Sequence, residues 1–158
     1  TTNFMTLLNR LPIFPLYYNG KTKFMPIHCS DLVDTIFHII DKKINSQIIE
    51  CVGPETITFK EIILKLLQLI EKKRILIPLP FFIANYSAKF FGLFPNPILT
   101  QDQLRLLKYD NVASKKYKTN NDINVPSKKF FDEEVKKYCY MWKDGGQYST
   151  AKYKSDKN

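Results

Sequence analysis

The sequence predicts an α/β fold, and three observations carry that prediction. Short apolar runs of strand length, at 47–52 and 75–79, alternate with longer segments of helical period. Two of those helical segments open on capping residues, and turn signals at Asn19-Gly20 and Gly53-Pro54 separate the elements. With 44% hydrophobic and 25% charged residues among 158, the chain has enough apolar surface to build a core, which excludes wholesale disorder.

In residues 3–11, Phe4, Leu7, Leu8 and Leu11 stand at helical spacing, and Pro12 ends the run. Residues 13–17 are held extended by their prolines. Asn19-Gly20 is a tight-turn signal and 21–27 reads as a strand, so a hairpin is expected over 16–27. Ser30 is the expected N-cap of a helix over 31–42, with Asp31 and Asp34 in its first turn and Lys42 and Lys43 at its basic end. Leu32, Val33, Ile36, Ile39 and Ile40 give this helix one apolar face.

Residues 47–52 form an apolar strand closed by Gly53-Pro54. Because helices flank it, the strand is expected to join a sheet whose other strands lie outside this chain. Thr58 and Glu61 have the spacing of a capping box, with Ile57 and Ile62 placed for a hydrophobic staple. Phe59, Ile62, Ile63, Leu66, Leu67 and Ile70 then make an amphipathic helix over 59–72. A strand at 75–79 precedes an almost wholly apolar helix at 81–94, stopped by Pro95-Asn96-Pro97. Thr100 and Gln103 repeat the capping pattern before Leu104. Residues 113–124 read as an exposed linker, 126–140 as holding a short helix, and 143–158 as a disordered tail.

The formal charge of +9 would suit nucleic acid, anionic lipid or an acidic protein. Of the 24 basic residues, however, only Arg10, Arg74 and Arg105 are arginine, and no basic stripe with interleaved aromatics occurs. The charge therefore reads as compositional bias, and no nucleic-acid partner is expected. Cys29, Cys51 and Cys139 are far apart and His28 and His38 are the sole histidines, so no zinc-ligand spacing is present. The cysteines read as thiols of a reducing compartment. The opening Thr1-Thr2-Asn3-Phe4 is neither a signal nor a transit peptide, and further sequence is expected before it.

Two segments resemble the C-terminal half of atypical, extended-type short-chain dehydrogenase/reductases. The first is Asn19-Gly20-Lys21-Thr22-Lys23-Phe24-Met25-Pro26-Ile27-His28-Cys29-Ser30-Asp31-Leu32-Val33, and the second is Glu50-Cys51-Val52-Gly53-Pro54-Glu55-Thr56-Ile57-Thr58-Phe59. The run Pro78-Leu79-Pro80-Phe81, Pro95-Asn96-Pro97, Leu99-Thr100-Gln101-Asp102-Gln103 and Leu106-Leu107-Lys108-Tyr109-Asp110-Asn111-Val112 is similar to one branch of that family. That branch contains the NAD(P)H-binding accessory subunit of respiratory complex I (NADH:ubiquinone oxidoreductase) and its alphaproteobacterial relatives. The resemblance covers roughly residues 3–131.

It implies an α/β Rossmann-type fold of which this chain is the C-terminal, substrate-side portion, with the nucleotide-binding half missing. Residues 1–112 would belong to the short-chain-dehydrogenase-like domain, 113–142 would form a polar extension with a short helix, and 143–158 a disordered tail. The family holds its dinucleotide on a glycine-rich turn between a strand and a helix, and no G-x-x-G-x-x-G occurs here. NAD(P)H is therefore expected in the full-length parent and not on this chain alone. The family's Tyr-x-x-x-Lys dyad is matched by Tyr17 and Lys21, but the pair flanks the Asn19-Gly20 turn, so no catalytic residue is assigned.

The implied role is non-catalytic: an accessory part of a complex I subunit that docks and stabilises its neighbours. It would lie on the matrix side of the mitochondrial inner membrane or the cytoplasmic face of a bacterial one. The alternative is the substrate-binding half of an NAD(P)-dependent epimerase, reductase or dehydratase. The expected partners are the missing N-terminal half, on this chain or a separate one, and other complex I subunits, with peripheral membrane contact. His28, just before the expected cap, is the candidate cleft residue. Phe81, Phe82, Phe90, Phe91 and Phe94 surround the axis of helix 81–94, and a helix apolar all round needs cover on all sides, so they are the candidate interface.

Overall fold

Three separate two-stranded sheets make up the β structure of residues 1–79 and 106–149, the parts described in this computed structural model. Strand β1 (Ile13–Tyr17) follows helix α1 (Thr2–Arg10) and pairs in parallel with β5 (Ile75–Leu79), Ile13 opposite Ile75 and Tyr17 opposite Leu79. Strand β2 (Lys23–Phe24) pairs antiparallel with β4 (Ile57–Thr58), and β3 (Ile49–Glu50) pairs in parallel with β6 (Lys118–Thr119). Helix α2 (Cys29–Asp41) lies between β2 and β3, α3 (Phe59–Leu69) follows β4, and α4 (Phe131–Lys136) leads into a 3-10 turn at Cys139–Trp142. The architecture is thus mixed α/β with short strands. No helix among the described residues is long and apolar enough to cross a membrane.

One core joins these elements. Met5 and Leu8 of α1, Phe14 and Leu16 of β1, and Phe59, Ile63, Leu66 and Leu67 of α3 are buried together with Val135, Cys139 and Trp142. Helix α3 forms where its local signals require. The Glu61 amide donates to Thr58 Oγ1 at 3.2 Å, and Glu61 Oε2 accepts from the Thr58 amide at 2.7 Å. After Ile70, Glu71 turns left-handed at φ 58°. Arg74 then reaches back to donate to the carbonyls of Leu8 and Asn9 at 2.7 and 3.0 Å, a cation at the C-terminal end of α1. The far end of the chain closes over the same helix: Asn9 Nδ2 donates to Tyr148 O, and Trp142 Nε1 donates to Thr6 Oγ1 at 2.9 Å.

Helix α2 presents the reverse of an ordinary surface helix. It buries Asp31 and Thr35 and leaves Val33, Ile36, Phe37 and Ile40 between 45% and 68% exposed. The buried side is tied by hydrogen bonds. Asp31 Oδ2 accepts from the Lys128 and Lys129 amides at 3.0 Å each, and Thr35 Oγ1 donates to Asp31 O at 2.8 Å. Cys29 is also exposed, on the same stripe as Val33, Ile36 and Ile40.

Several sequence expectations are corrected. The hairpin over 16–27 does not form. Tyr18, Asn19 and Gly20 all take positive φ, and the turn sends the chain away from β1 toward β4. A Cβ on Gly20 would stand 2.8 Å from Lys60 Cβ, so the turn is seated on the start of α3. The cap of α2 is His28 and not Ser30, since His28 Nδ1 accepts the Ser30 amide. The strand expected over 47–52 narrows to Ile49–Glu50, and one of its edges is taken by Lys118–Thr119 of this same chain. Segment 113–124 is largely exposed, as expected, but it is not a bare linker. It supplies β6 and the fully buried Asn120, whose Oδ1 accepts from the Val52 amide at 2.8 Å. The start of the expected disordered tail is packed: Tyr148 lies 4.8 Å, centroid to centroid, from the Trp142 ring. The helix at 81–94, the cap at Thr100, and Phe81, Phe82, Phe90, Phe91 and Phe94 lie outside the described residues.

Candidate functional site

Backbone crossings place two hollows side by side at one end of the core. Gly53 passes so close to Pro26 that an added Cβ would stand 1.8 Å from Pro26 O, and the Gly53 amide donates to Met25 O at 3.2 Å. The Asn111 amide donates to Lys23 O at 2.8 Å, and the Met25 amide donates to Asn111 O at 3.1 Å. Residues 23–26 are therefore held between two neighbouring segments. Their inner side forms one wall of a cleft of about 500 Å³. Phe4 and Leu7 of α1, Phe59 and Ile62 of α3, Phe131 of α4, and Leu106 and Leu107 complete the apolar lining, and Thr1, Asn3 and Asn111 are its polar residues. The Phe4 and Phe59 rings meet edge to face at 5.6 Å.

A smaller hollow of about 190 Å³ shares Pro26 and Phe131 with that cleft and is lined by His28, Lys129, Glu134 and Tyr138. Because His28 Nδ1 accepts the Ser30 amide at 3.3 Å, a ring proton lies on Nε2, which faces Glu134 Oε2 at 3.7 Å. Lys137 Nζ donates to both Glu134 oxygens, at 2.6 and 2.7 Å. This hydrogen bonding, with the charges of Lys137, His28 and Lys129, holds the Glu134 carboxyl below the ordinary carboxylate range. Burial pushes the Tyr138 phenol up.

Acidic side chains of the main body hold the wall of this hollow by its backbone. Asp31 takes the Lys128 and Lys129 amides, and Glu55 Oε1 takes the Phe131 amide at 3.0 Å. Glu55 Oε2 also accepts from Lys65 Nζ at 3.0 Å, and Asp132 stands 3.5 Å from the same ammonium. Burial lowers the Lys65 pKa, but Glu55 and Asp132 outweigh it, and the net shift is upward.

His28, the candidate cleft residue, lines the smaller hollow. The structure does not give Tyr17 and Lys21 a shared helical face, because the left-handed turn lies between them. Lys129, Glu134 and Tyr138 carried no sequence signal. They lie about a hundred positions after His28, in a stretch read only as polar with a short helix. Among the described residues no group of three or more His, Cys, Asp or Glu side chains is placed to hold a metal ion. The three cysteines are free, and burial raises the Cys51 thiol. Comparison with known proteins finds no family model and no curated protein that matches this chain.

Proposed function

We propose that this chain is the docking, substrate-side portion of a short-chain-dehydrogenase-like protein, acting without catalysis as an accessory part of a respiratory complex I subunit. The observation that carries the docking reading is the outward apolar stripe of α2, Val33, Ile36, Phe37 and Ile40. A stripe of this size on a helix face marks a contact surface. The resemblance in residues 19–33 and 50–59 supplies the occupant, the half of the fold that carries the glycine-rich turn. NAD(P)H belongs to that half. The remaining partners are other complex I subunits, with peripheral membrane contact, on the matrix side of the mitochondrial inner membrane or the cytoplasmic face of a bacterial one.

A second reading is favoured by the 500 Å³ cleft with His28 beside it. In this reading the parent is an NAD(P)-dependent epimerase, reductase or dehydratase, and the present chain closes over its substrate. Purification of the native protein from its source, followed by measurement of polypeptide mass and co-purifying subunits, tests both. Recovery within an assembly that oxidises NADH and reduces quinone supports the accessory role, and Phe37→Ser should then release the chain. A free protein that turns over a small substrate with NAD(P)H establishes the second reading and removes the first. For the isolated chain, calorimetric titration with NADPH is expected to give no saturable heat, and a micromolar dissociation constant would contradict the assignment of the cofactor to the other half.

A further inference from the structure

The cleft has a ligand chemistry of its own, separate from the stripe on α2. We propose that it binds a single-chain amphiphile with an anionic head, of the fatty-acid carboxylate type. Its volume of about 500 Å³ lies within the range of small-molecule sites, roughly 300–1,000 Å³. Phe4, Leu7, Phe24, Phe59, Ile62 and Phe131 offer a ligand body apolar contact, and Thr1, Asn3 and Asn111 are the polar residues of the lining. The predominance of apolar side chains suits an alkyl chain.

The head-group preference comes from the adjoining hollow. Across the shared Pro26 and Phe131 wall lie Lys129, His28 and Glu134. Glu134 is already engaged by both contacts from Lys137 and by His28. The Lys129 ammonium donates to no described residue and acts on Glu134 through its charge alone. Glu134 is paired with Lys137 and Asp31 with two backbone amides, so the Lys129 ammonium is the group at the mouth left to meet an anionic head. The backbone that carries Lys129 is set in advance. Its own amide and that of Lys128 are bound by Asp31, and the Phe131 amide is bound by Glu55. Part of the cost of ordering a head-group site is therefore met before any ligand arrives.

The test is calorimetric titration of the full chain with dodecanoate and with dodecyltrimethylammonium, both kept below micelle-forming concentrations. The expected result is one dodecanoate per chain, bound at least about tenfold more tightly than the cationic amphiphile. Lys129→Glu should remove most of that preference, and Lys129→Arg should keep it. Ile62→Trp, which fills the cleft from α3, should abolish binding with the circular dichroism spectrum unchanged. If Ile62→Trp fails to fold, Asn111→Trp closes the cleft from its rim, where the native side chain is exposed. Phe37→Ser should leave dodecanoate binding intact. Equal affinity for the two heads, or loss with Phe37→Ser while the cleft variants still bind, would overturn the proposal. So would co-sedimentation with phosphatidylglycerol vesicles in the absence of a saturable dodecanoate site, which would make the surface a membrane contact. Because the α2 variant and the cleft variants are read separately, failure of this proposal leaves the docking reading standing, and the reverse holds as well.

Discussion

Helix α3 turns Ile63 and Leu66 into the core. Helix α2, with a comparable apolar stripe, turns Val33, Ile36, Phe37 and Ile40 outward and buries Asp31 and Thr35. In α3 the hydrophobic effect and the local cap act together: the capping box fixes where the helix starts, and the buried face does the rest. In α2 the orientation is set by polar anchors. A carboxylate that binds two backbone amides is worth more on the inside than an isoleucine that finds no neighbour there. Apolar periodicity therefore identifies a helix face that must be covered, and says nothing about which molecule covers it.

The sharpest way to break this contrast is a pair of truncations. Leu66→Ala removes a fully buried side chain and should cost about 3 kcal/mol. Ile36→Ala in the isolated chain should stay within about 0.5 kcal/mol. Urea midpoints decide the matter, and equal losses would mean that α2 is packed as α3 is. Next in size is Asp31→Ala. It leaves the Lys128 and Lys129 amides without their charged acceptor, and a loss of about 2 kcal/mol is expected. Faster hydrogen exchange at those two amides should accompany it, and unchanged exchange would show that the polar side of α2 is not its anchor.

Thr58→Ala should cost about 1 kcal/mol, against less than about 0.5 for Lys60→Ala next to it. Equal midpoints for that pair would remove the cap from the account of α3. The smallest effect is on pH dependence. Hydrogen bonds from the Thr58 backbone and then its side chain, with a lesser contribution from the charge of Lys65, lower the Glu61 pKa. A carboxyl whose pKa is depressed in the folded state stabilises the fold above its unfolded value, and that contribution disappears as pH falls through the folded value. Acidification from neutrality to below the ordinary carboxylate range should therefore weaken the native chain more than Glu61→Gln. Parallel melting curves for the two across that window would place Glu61 outside the cap.

The cap of α3 was legible in the sequence because it is local, with Thr58 and Glu61 three positions apart. The start of α2 was displaced by two residues because an imidazole fills the role usually read from Ser, Thr, Asp or Asn. The hairpin was misread for a different reason. Asn19-Gly20 does turn the chain, but the partner of β2 lies at 57–58, and no local signal encodes that pairing. Segment 113–124 looked solvated because it is polar. Its order comes from hydrogen bonding instead: Asn120 takes the Val52 amide and donates to Val125 O, and Ser127 Oγ donates to Val52 O. The candidate site was half visible. His28 stood out as one of two histidines, whereas Lys129, Glu134 and the aromatic walls meet only once distant segments have crossed.

The ties from α1 to the other end of the chain set a timetable. The Trp142–Thr6 and Asn9–Tyr148 hydrogen bonds span 136 and 139 positions. During synthesis at ~5–20 residues per second, α1 waits on the order of ten seconds for those partners. Met5 and Leu8 have the neighbouring strand and α3 available earlier, but the cover from Trp142 arrives last. Doubling the length of a closed loop adds only about 0.6 kcal/mol of entropy cost, so the distance weighs lightly on the finished fold. It weighs on the nascent chain, in which α1 keeps one side open to chaperones, or to the segment of another ribosome's product, until translation has passed residue 148.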